Sequence, residues 1–289
     1  MKSFDGKVAA ITGAGGGIGR ALALQLAAEG CALALSDIIE ANVAETAQLA
    51  SQRNVRVRVT TAVVDVSNRT QMLEWAANVV ADHGKVNLVF NNAGVAHAGT
   101  VEGSAFEDYE WIVGINFWGV VNGTKAFLPL LKQSGDGHII NVSSVFGLFA
   151  QPGMSGYNAT KYAVRGFTES LRMELDMTSC GVSATCVHPG SIKTDILRNT
   201  RMSKSMGELL RTEKDVRQMM EKGIYSNTPE AAASIVLNGV RKNRRRILVG
   251  LDAVLFDIMA RLLPAAYQPL VVRVMGMMRG SAAVTTTHN

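Results

Sequence analysis

The chain has 289 residues, 47% of them hydrophobic and 18% charged, with a formal net charge of +5. That supplies a sizeable core for a single α/β unit, and the three cysteines (Cys31, Cys180, Cys186) and five scattered histidines form neither a metal site nor a disulfide framework. The opening Met1–Gly6 has no apolar leader and runs straight into a strand, so a protein that is not secreted is expected, with the cytoplasm as its compartment.

Apolar strand candidates alternate with helical periodicity along the chain. Strands are predicted at Val8–Ile11, Ala32–Leu35, Val57–Val64, Leu88–Phe90, Ile139–Val142, Ser183–Val187 and Ile247–Val249, with helices such as Glu40–Arg53, Arg69–His83 and Asn158–Met177 between them. This rhythm implies one doubly wound parallel sheet of about seven strands with helices on both faces, and ligand sites at the carboxyl ends of the strands.

The first strand leads into Thr12-Gly13-Ala14-Gly15-Gly16-Gly17-Ile18-Gly19 and then a helix beginning at Arg20. Glycines permit positive φ and close backbone approach, and the helix N-terminus then offers free N–H groups to a pyrophosphate. The second strand ends at Asp37, about 20 residues beyond the glycines, where a carboxylate can hold ribose hydroxyls and repel a 2′-phosphate. No Lys or Arg stands beside Gly15-Gly16, and Arg20 is expected to point along its helix. Asp37 could instead cap the helix that follows. Asp65, after the third strand, could be a plain turn or cap residue, but its place at a strand end favours a ligand contact. His188, before Pro189, is read as a loop residue, and Cys31 and Cys186 as small buried hydrophobes.

Further along, Tyr157 and Lys161 stand at i and i+4, on one helix face. A free tyrosine titrates near pH ~10, and a fixed neighbouring cation favours the phenolate, moving its pKa toward a value useful in acid–base catalysis. Alone, such a pair is more often an ordinary surface pair; its company in this chain argues otherwise.

From about Lys7 to Gly250 the chain resembles the classical short-chain dehydrogenase/reductase family: Thr-Gly-x-x-x-Gly-x-Gly from Thr12, Asn91-Asn92-Ala93-Gly94, Asn116, Ser144, Tyr157 with Lys161, and Pro189-Gly190 with Thr194 follow its motifs in order. Ser144 is preferred to Ser143 because it stands thirteen residues before Tyr157, the family's spacing. The resemblance implies a catalytic tetrad of Asn116, Ser144, Tyr157 and Lys161. Tyr157 would be the general acid or base, Ser144 a donor to the substrate oxygen, Lys161 a ligand of the nicotinamide ribose, and Asn116 the holder of a water linking the lysine to solvent. It also implies cofactor contacts from Gly13, Gly15, Gly16, Gly17, Ile18, Gly19, Asp37, Ile38, Asp65 (to the adenine), Val66, Asn92, Ala93, Gly94, Tyr157, Lys161, Pro189, Gly190, Ile192 and Thr194. NAD(H) is expected over NADP(H).

Two segments are individual. Residues 195–226 are polar, methionine-bearing and charge-mixed, and are expected to form a substrate lid within a catalytic domain spanning 1–250; the stretch Gly207–Lys222 could equally be a surface helix. Residues 251–280 form an apolar C-terminal extension, and 281–289 are expected to be disordered. From Arg241 to Asn289 there are eight Lys and Arg against two Asp and Glu, a net +6, whereas residues 1–240 carry 21 against 22. The basic run Arg241–Arg246 lacks interleaved aromatics and enters a strand, so it reads as a solvated loop and not as a nucleic-acid surface. The extension is too short and too broken by Pro264 and Pro269 to span a bilayer of ~20 residues. It can cover the active-site mouth, pack a subunit interface or lie on an anionic membrane, in that order of expectation.

The expected activity is NAD(H)-dependent interconversion of a secondary alcohol and a ketone, or of an alcohol and an aldehyde, on a fairly apolar small molecule. A 3-oxoacyl thioester reductase using NADPH and a non-catalytic dinucleotide sensor are the alternatives. A homodimer or homotetramer is expected by resemblance, packed through Phe117–Leu131 and Tyr162–Leu175.

Overall fold

The computed structural model describes residues 1–194, 196, 199–210 and 227–281. A seven-stranded sheet, parallel throughout, is built from β1 (Val8–Thr12), β2 (Ala32–Asp37), β3 (Val59–Val63), β4 (Leu88–Asn91), β6 (Gly137–Val142), β7 (Val182–Pro189) and β9 (Arg246–Val249), in the order β3-β2-β1-β4-β6-β7-β9. All seven predicted strands are present. Their apolar runs are continuous because helices cover both faces; β1 and β6 are buried at every position. The third strand starts at Val59, two residues later than expected, and Val57 packs against the core from the preceding turn.

On one face lie α1 (Gly17–Ala28), α2 (Glu40–Arg53) and α8 (Pro229–Arg241), which bury Leu22 and Leu26, Val43 and Ala50, and Val236 and Val240 against the sheet. On the other lie α3 (Arg69–His83), α5 (Gly119–Ser134) and α6 (Ser155–Thr178), which contribute Met72 and Trp75, Phe127 and Leu131, and Leu171 and Leu175. Local chemistry sets the ends: Asn68 caps α3 by accepting from Thr70 N and Gln71 N, and Gly84, at φ 76°, stops it in the left-handed region. Trp75 meets Phe127 edge to face at 5.1 Å, and deleting either ring from this packed layer costs about 3–5 kcal/mol.

The strand order reverses between β1 and β4, which opens a crevice at their carboxyl ends. Helix α4 (Phe106–Val113) runs through a π-helical turn, Gly114–Trp118, into α5. Two-residue strands β5 (His97–Ala98) and β8 (Arg201–Met202) pair above this end of the sheet, followed by α7 (Met206–Leu210). Two further helices, α9 (Leu251–Leu262) and α10 (Tyr267–Ser281), form the C-terminal extension. Most of the expected lid, residues 195, 197–198 and 211–226, and the expected tail at 282–289 lie outside the described residues.

His188 is a correction to the sequence reading. It is fully buried within β7, not in a loop; its Nδ1 donates to the Ser144 carbonyl at 3.0 Å, and burial pushes its pKa down to about 4, so the ring is neutral. Cys31 and Cys186 are buried, and desolvation pushes both thiols up to about 12.

Candidate active site

The crevice is stitched shut at its base by Thr12. Its hydroxyl accepts from Asn92 N at 3.0 Å and Ala93 N at 3.1 Å, while Asn92 Nδ2 donates to the carbonyls of Thr12 and Gly13 at 3.0 and 3.1 Å. The end of β1 and the end of β4 are thus one unit. Gly13 has φ 62°, and a Cβ there would lie 2.8 Å from Ala93 Cα; a Cβ on Gly19 would lie 2.2 Å from the Gly13 carbonyl oxygen. Only glycine fits at either place. Gly16 faces open space, and as N-cap of α1 it has no side chain to satisfy the helix N–H groups beside Ile18. Thr194, from the loop after β7, lies over Gly17, with its Cγ2 3.0 Å from where a Cβ would be.

Asp37 turns to this loop. Its Oδ2 accepts from Gly15 N at 2.9 Å and its Oδ1 from Ile39 N at 3.1 Å, so it braces the glycine turn and the start of α2 together; Ile38 beside it is exposed. Arg20 does not run along its helix as expected. It folds back, with Nη2 donating to the Gly15 carbonyl at 2.7 Å and to Glu45 Oε2 at 2.6 Å, and Nε to Thr46 Oγ1 at 2.9 Å. The orphan carbonyl of the turn draws the guanidinium, and Glu45 offsets its charge. Asp65 accepts from Ser67 N at 2.9 Å and Ser67 Oγ at 2.7 Å in a local turn, and the Val66 carbonyl is held by Asn122 Nδ2 at 3.0 Å. Asn122 was not singled out in the sequence, because a buried amide inside a helix carries no local signal.

Tyr157 and Lys161 occupy the first turns of α6, both buried, with Lys161 Nζ 5.4 Å from the centre of the tyrosine ring. Nζ donates to the Val142 carbonyl at 3.2 Å. Ser144 follows β6, hydrogen-bonds Tyr157 and accepts from Phe146 N at 3.2 Å. Ser143 is spent differently, donating to the Lys161 carbonyl at 2.8 Å. Asn116 sits in the π-turn, where a widened backbone aims its amide inward. Its Oδ1 accepts from Val95 N at 2.8 Å, and its Nδ2 donates to Val95 O at 2.9 Å and Thr160 Oγ1 at 3.3 Å. Both amide hydrogens are used, so a water held by this side chain must donate to Oδ1. A Cβ on Gly94 would sit 3.2 Å from Asn116 Oδ1 and 3.5 Å from Lys161 Nζ, so the glycine lets these groups converge.

The electrostatics differ from the sequence expectation. Burial dominates: desolvation pushes the Tyr157 phenol up to about 12, opposed by the Ser144 hydrogen bond, and pushes the Lys161 ammonium down to about 8. The pair rests as a neutral phenol beside a cation that gives up its proton readily.

Beyond β7, Gly190 N donates to the Val249 carbonyl at 2.9 Å, and Ile192 is buried in a bridge to Asn227. Asp252, in the first turn of α9, accepts from Ser191 N at 2.6 Å, and a Cβ on Gly190 would collide with its carboxylate at 2.3 Å. The extension therefore touches the Pro189–Thr194 segment directly. It also reaches Tyr157 through rings: Phe146 meets Tyr157 at 6.0 Å, Phe149 meets Phe146 at 5.2 Å, and Phe256 stacks on Phe149 at 4.3 Å. Tyr267 OH accepts from Ala150 N at 3.0 Å, and Met275 packs with Met202, Met206 and Leu209. Three cations of the basic run before it are paired: Arg241 with Glu29, Arg245 with Asp176 at 2.5 Å, and Arg246 with Asp257.

The sequence model of the family described as short chain dehydrogenase matches residues 7–205. The protein SadH of Mycobacterium tuberculosis is 48% identical over 271 residues, covering 94% of this chain and 96% of its own. Human estradiol 17-beta-dehydrogenase 11 is 36% identical over 224 residues, covering 76% and 72%. A short chain dehydrogenase/reductase of Burkholderia phymatum, solved in complex with NAD, superposes with a TM-score of 0.82 at 30% identity, over 93% of this chain and 97% of its own.

Proposed function

The chain belongs to the short-chain dehydrogenase/reductase family of oxidoreductases, and on that premise we propose that it interconverts a secondary alcohol and a ketone, or an alcohol and an aldehyde, on a fairly apolar small molecule, using NAD(H). The observation that carries the reading is the convergence of Ser144, Tyr157 and Lys161 at the carboxyl end of β6, beside a glycine cradle that a single Cβ would fill.

The cradle fits a dinucleotide. Gly16 opens onto space at an uncapped helix N-terminus, which suits a pyrophosphate, and Asp37 stands where it can accept from ribose hydroxyls. Lys161 would hold the nicotinamide ribose, and the Pro189–Thr194 segment, braced by Asp252, would seat the carboxamide. The bound nicotinamide supplies or takes the hydride. The chain's own residues manage one proton. In the reduction direction Ser144 Oγ donates a hydrogen bond to the substrate oxygen as negative charge grows there, and Tyr157 OH gives that oxygen its proton. In oxidation Tyr157 acts as its phenolate: the phenol first releases its own proton to solvent, the nearby Lys161 cation stabilises the anion that burial otherwise disfavours, and the phenolate then takes the alcohol proton.

The rings of Phe146, Phe149 and Phe256, together with the methionines Met202 and Met206, favour an apolar substrate. We infer a cytoplasmic enzyme, a homodimer or homotetramer that packs through the outer faces of α5 and α6, where Trp118 of the π-turn before α5, and Tyr162 and Met173 of α6, are exposed. NADH fluorescence against secondary alcohols, hydroxysteroids, retinoids and acyl-chain carbonyls, run in parallel with NADP, tests the reading. Turnover of an apolar alcohol with NAD supports it, and turnover confined to acyl thioesters with NADPH rejects it.

A further inference from the structure

Helices α9 and α10 are amphipathic in a way the catalytic reading does not use. Their inner faces carry Ala253, Phe256, Tyr267 and Met275 onto the body of the protein. Their outer faces remain in water. On α9, Leu251, Leu255, Ile258 and Leu262 recur at four-, three- and four-residue steps and so form one stripe; Leu251, Leu255 and Leu262 are 80%, 66% and 74% exposed. On α10, Leu270 and Val274 stand one turn apart, and both are exposed. So much leucine on a water-facing stripe marks an interaction surface.

The charges decide the partner. The only acidic residues after Arg241 are Asp252 and Asp257, and both turn inward: Asp252 accepts from Ser191 N at 2.6 Å, and Asp257, 14% exposed, is shared between Arg246 and Arg261. Arg261 is 60% exposed beside the α9 stripe, and Arg273 is exposed beside Val274 on α10. The outward surface is thus apolar flanked by cations, with no carboxylate on it. Asp257 offsets only one of its two arginines, so a second copy packed symmetrically would add cations to cations without adding a carboxylate, and the cores of protein interfaces are depleted in charge. An anionic lipid surface answers both features at once, taking the leucines into the acyl boundary and the guanidiniums among the headgroups. Among the described residues no helix is long and apolar enough to cross a membrane, so the helices would lie in the plane of the interface.

We propose that α9 and α10 dock this protein on the surface of an anionic lipid bilayer through the Leu251–Leu262 stripe and its flanking arginines. The docked faces are opposite those that touch the Pro189–Thr194 segment and α7, so docking leaves those contacts in place. The lipid contact does not depend on the proposed reaction.

Flotation of the full chain with vesicles tests it, comparing neutral phosphatidylcholine with phosphatidylcholine containing phosphatidylglycerol. The expected result is co-flotation with the anionic vesicles alone, reduced at least tenfold by high salt. The double variant L255E/L262E should lose at least tenfold in binding while keeping its thermal midpoint and elution volume. Arg273→Glu, a surface change that disturbs no packing, should weaken binding several-fold even if the double variant misfolds. Absence of flotation, equal flotation with neutral vesicles, or wild-type binding by both variants would overturn the proposal. So would conversion of a wild-type oligomer to monomers by L255E/L262E, because a second copy would then cover the face.

Discussion

The Asp37 carboxylate accepts the Gly15 backbone N–H at 2.9 Å, which fixes the acidic group at the end of β2 against the phosphate-facing loop after β1. The position supports the proposed preference for NAD. A 2′-phosphate within about 4 Å of that carboxylate is disfavoured by on the order of 4 kcal/mol per pair of unit charges at an effective dielectric near 20. The nearby Arg20 guanidinium is occupied by Gly15 O and Glu45. Asp37→Ala is therefore expected to raise kcat/KM for NADP relative to NAD by at least tenfold. A wild-type preference for NADP, or an unchanged ratio in the variant, would remove Asp37 from this role.

Lys161 is asked to serve both the phenol and the nicotinamide ribose from one buried position. Its alanine variant is expected to lose turnover and cofactor affinity together. Isothermal titration with NAD separates the two contributions: affinity equal to wild type would leave the ribose assignment without support.

Two buried histidines, His138 and His188, are expected to make folding less stable in acid. Burial pushes His138 down to about 3 and His188 to about 4 from 6.5, so between those values the folded protein binds fewer protons than the unfolded chain. Their contribution is fully present above pH 6.5 and is lost as pH falls toward 4 and 3, each group at about 1.4 kcal/mol per pH unit. His138 Nε2 bonds Thr185 Oγ1 at 2.7 Å, and glutamine can place a nitrogen there without titrating. Urea midpoints of His138→Gln between pH 7 and 4 should show a shallower decline than wild type; parallel curves would show that this histidine is not responsible.

The extension is expected to act on substrate more than on cofactor. Tyr267→Phe removes the acceptor of Ala150 N, a loss of about 1 kcal/mol, beside the Phe149 ring that leads to Phe146 and Tyr157. KM for an apolar substrate should rise while the Kd for NAD holds. A change in NAD affinity alone would move the role of the extension to the Ser191 contact.

Much of this was legible in the chain because the signals are local. Seven parallel strands follow from uninterrupted apolar runs, and Tyr157 and Lys161 share a helix face by spacing alone. What was not legible depends on distant partners or on burial. Strands β5 and β8 are two residues each, too short for any period, and the π-turn that aims Asn116 has no sequence signature. Arg20 folds back because the Gly15 carbonyl lacks a partner, and the Tyr157 phenol moves up because the site is dry; neither can be seen in a linear motif. Asp252 meets Ser191 across sixty-one positions.

Tyr157 carries the proton of the proposed reaction. With NAD and an apolar secondary alcohol that the wild-type protein oxidises, NADH formation by Tyr157→Phe is expected to fall by at least about 10²–10⁴-fold, because only the proton acceptor is removed, while NAD binding followed by fluorescence stays near the wild-type value. Turnover by the phenylalanine variant close to that of the wild type would contradict the proposed chemistry at its centre.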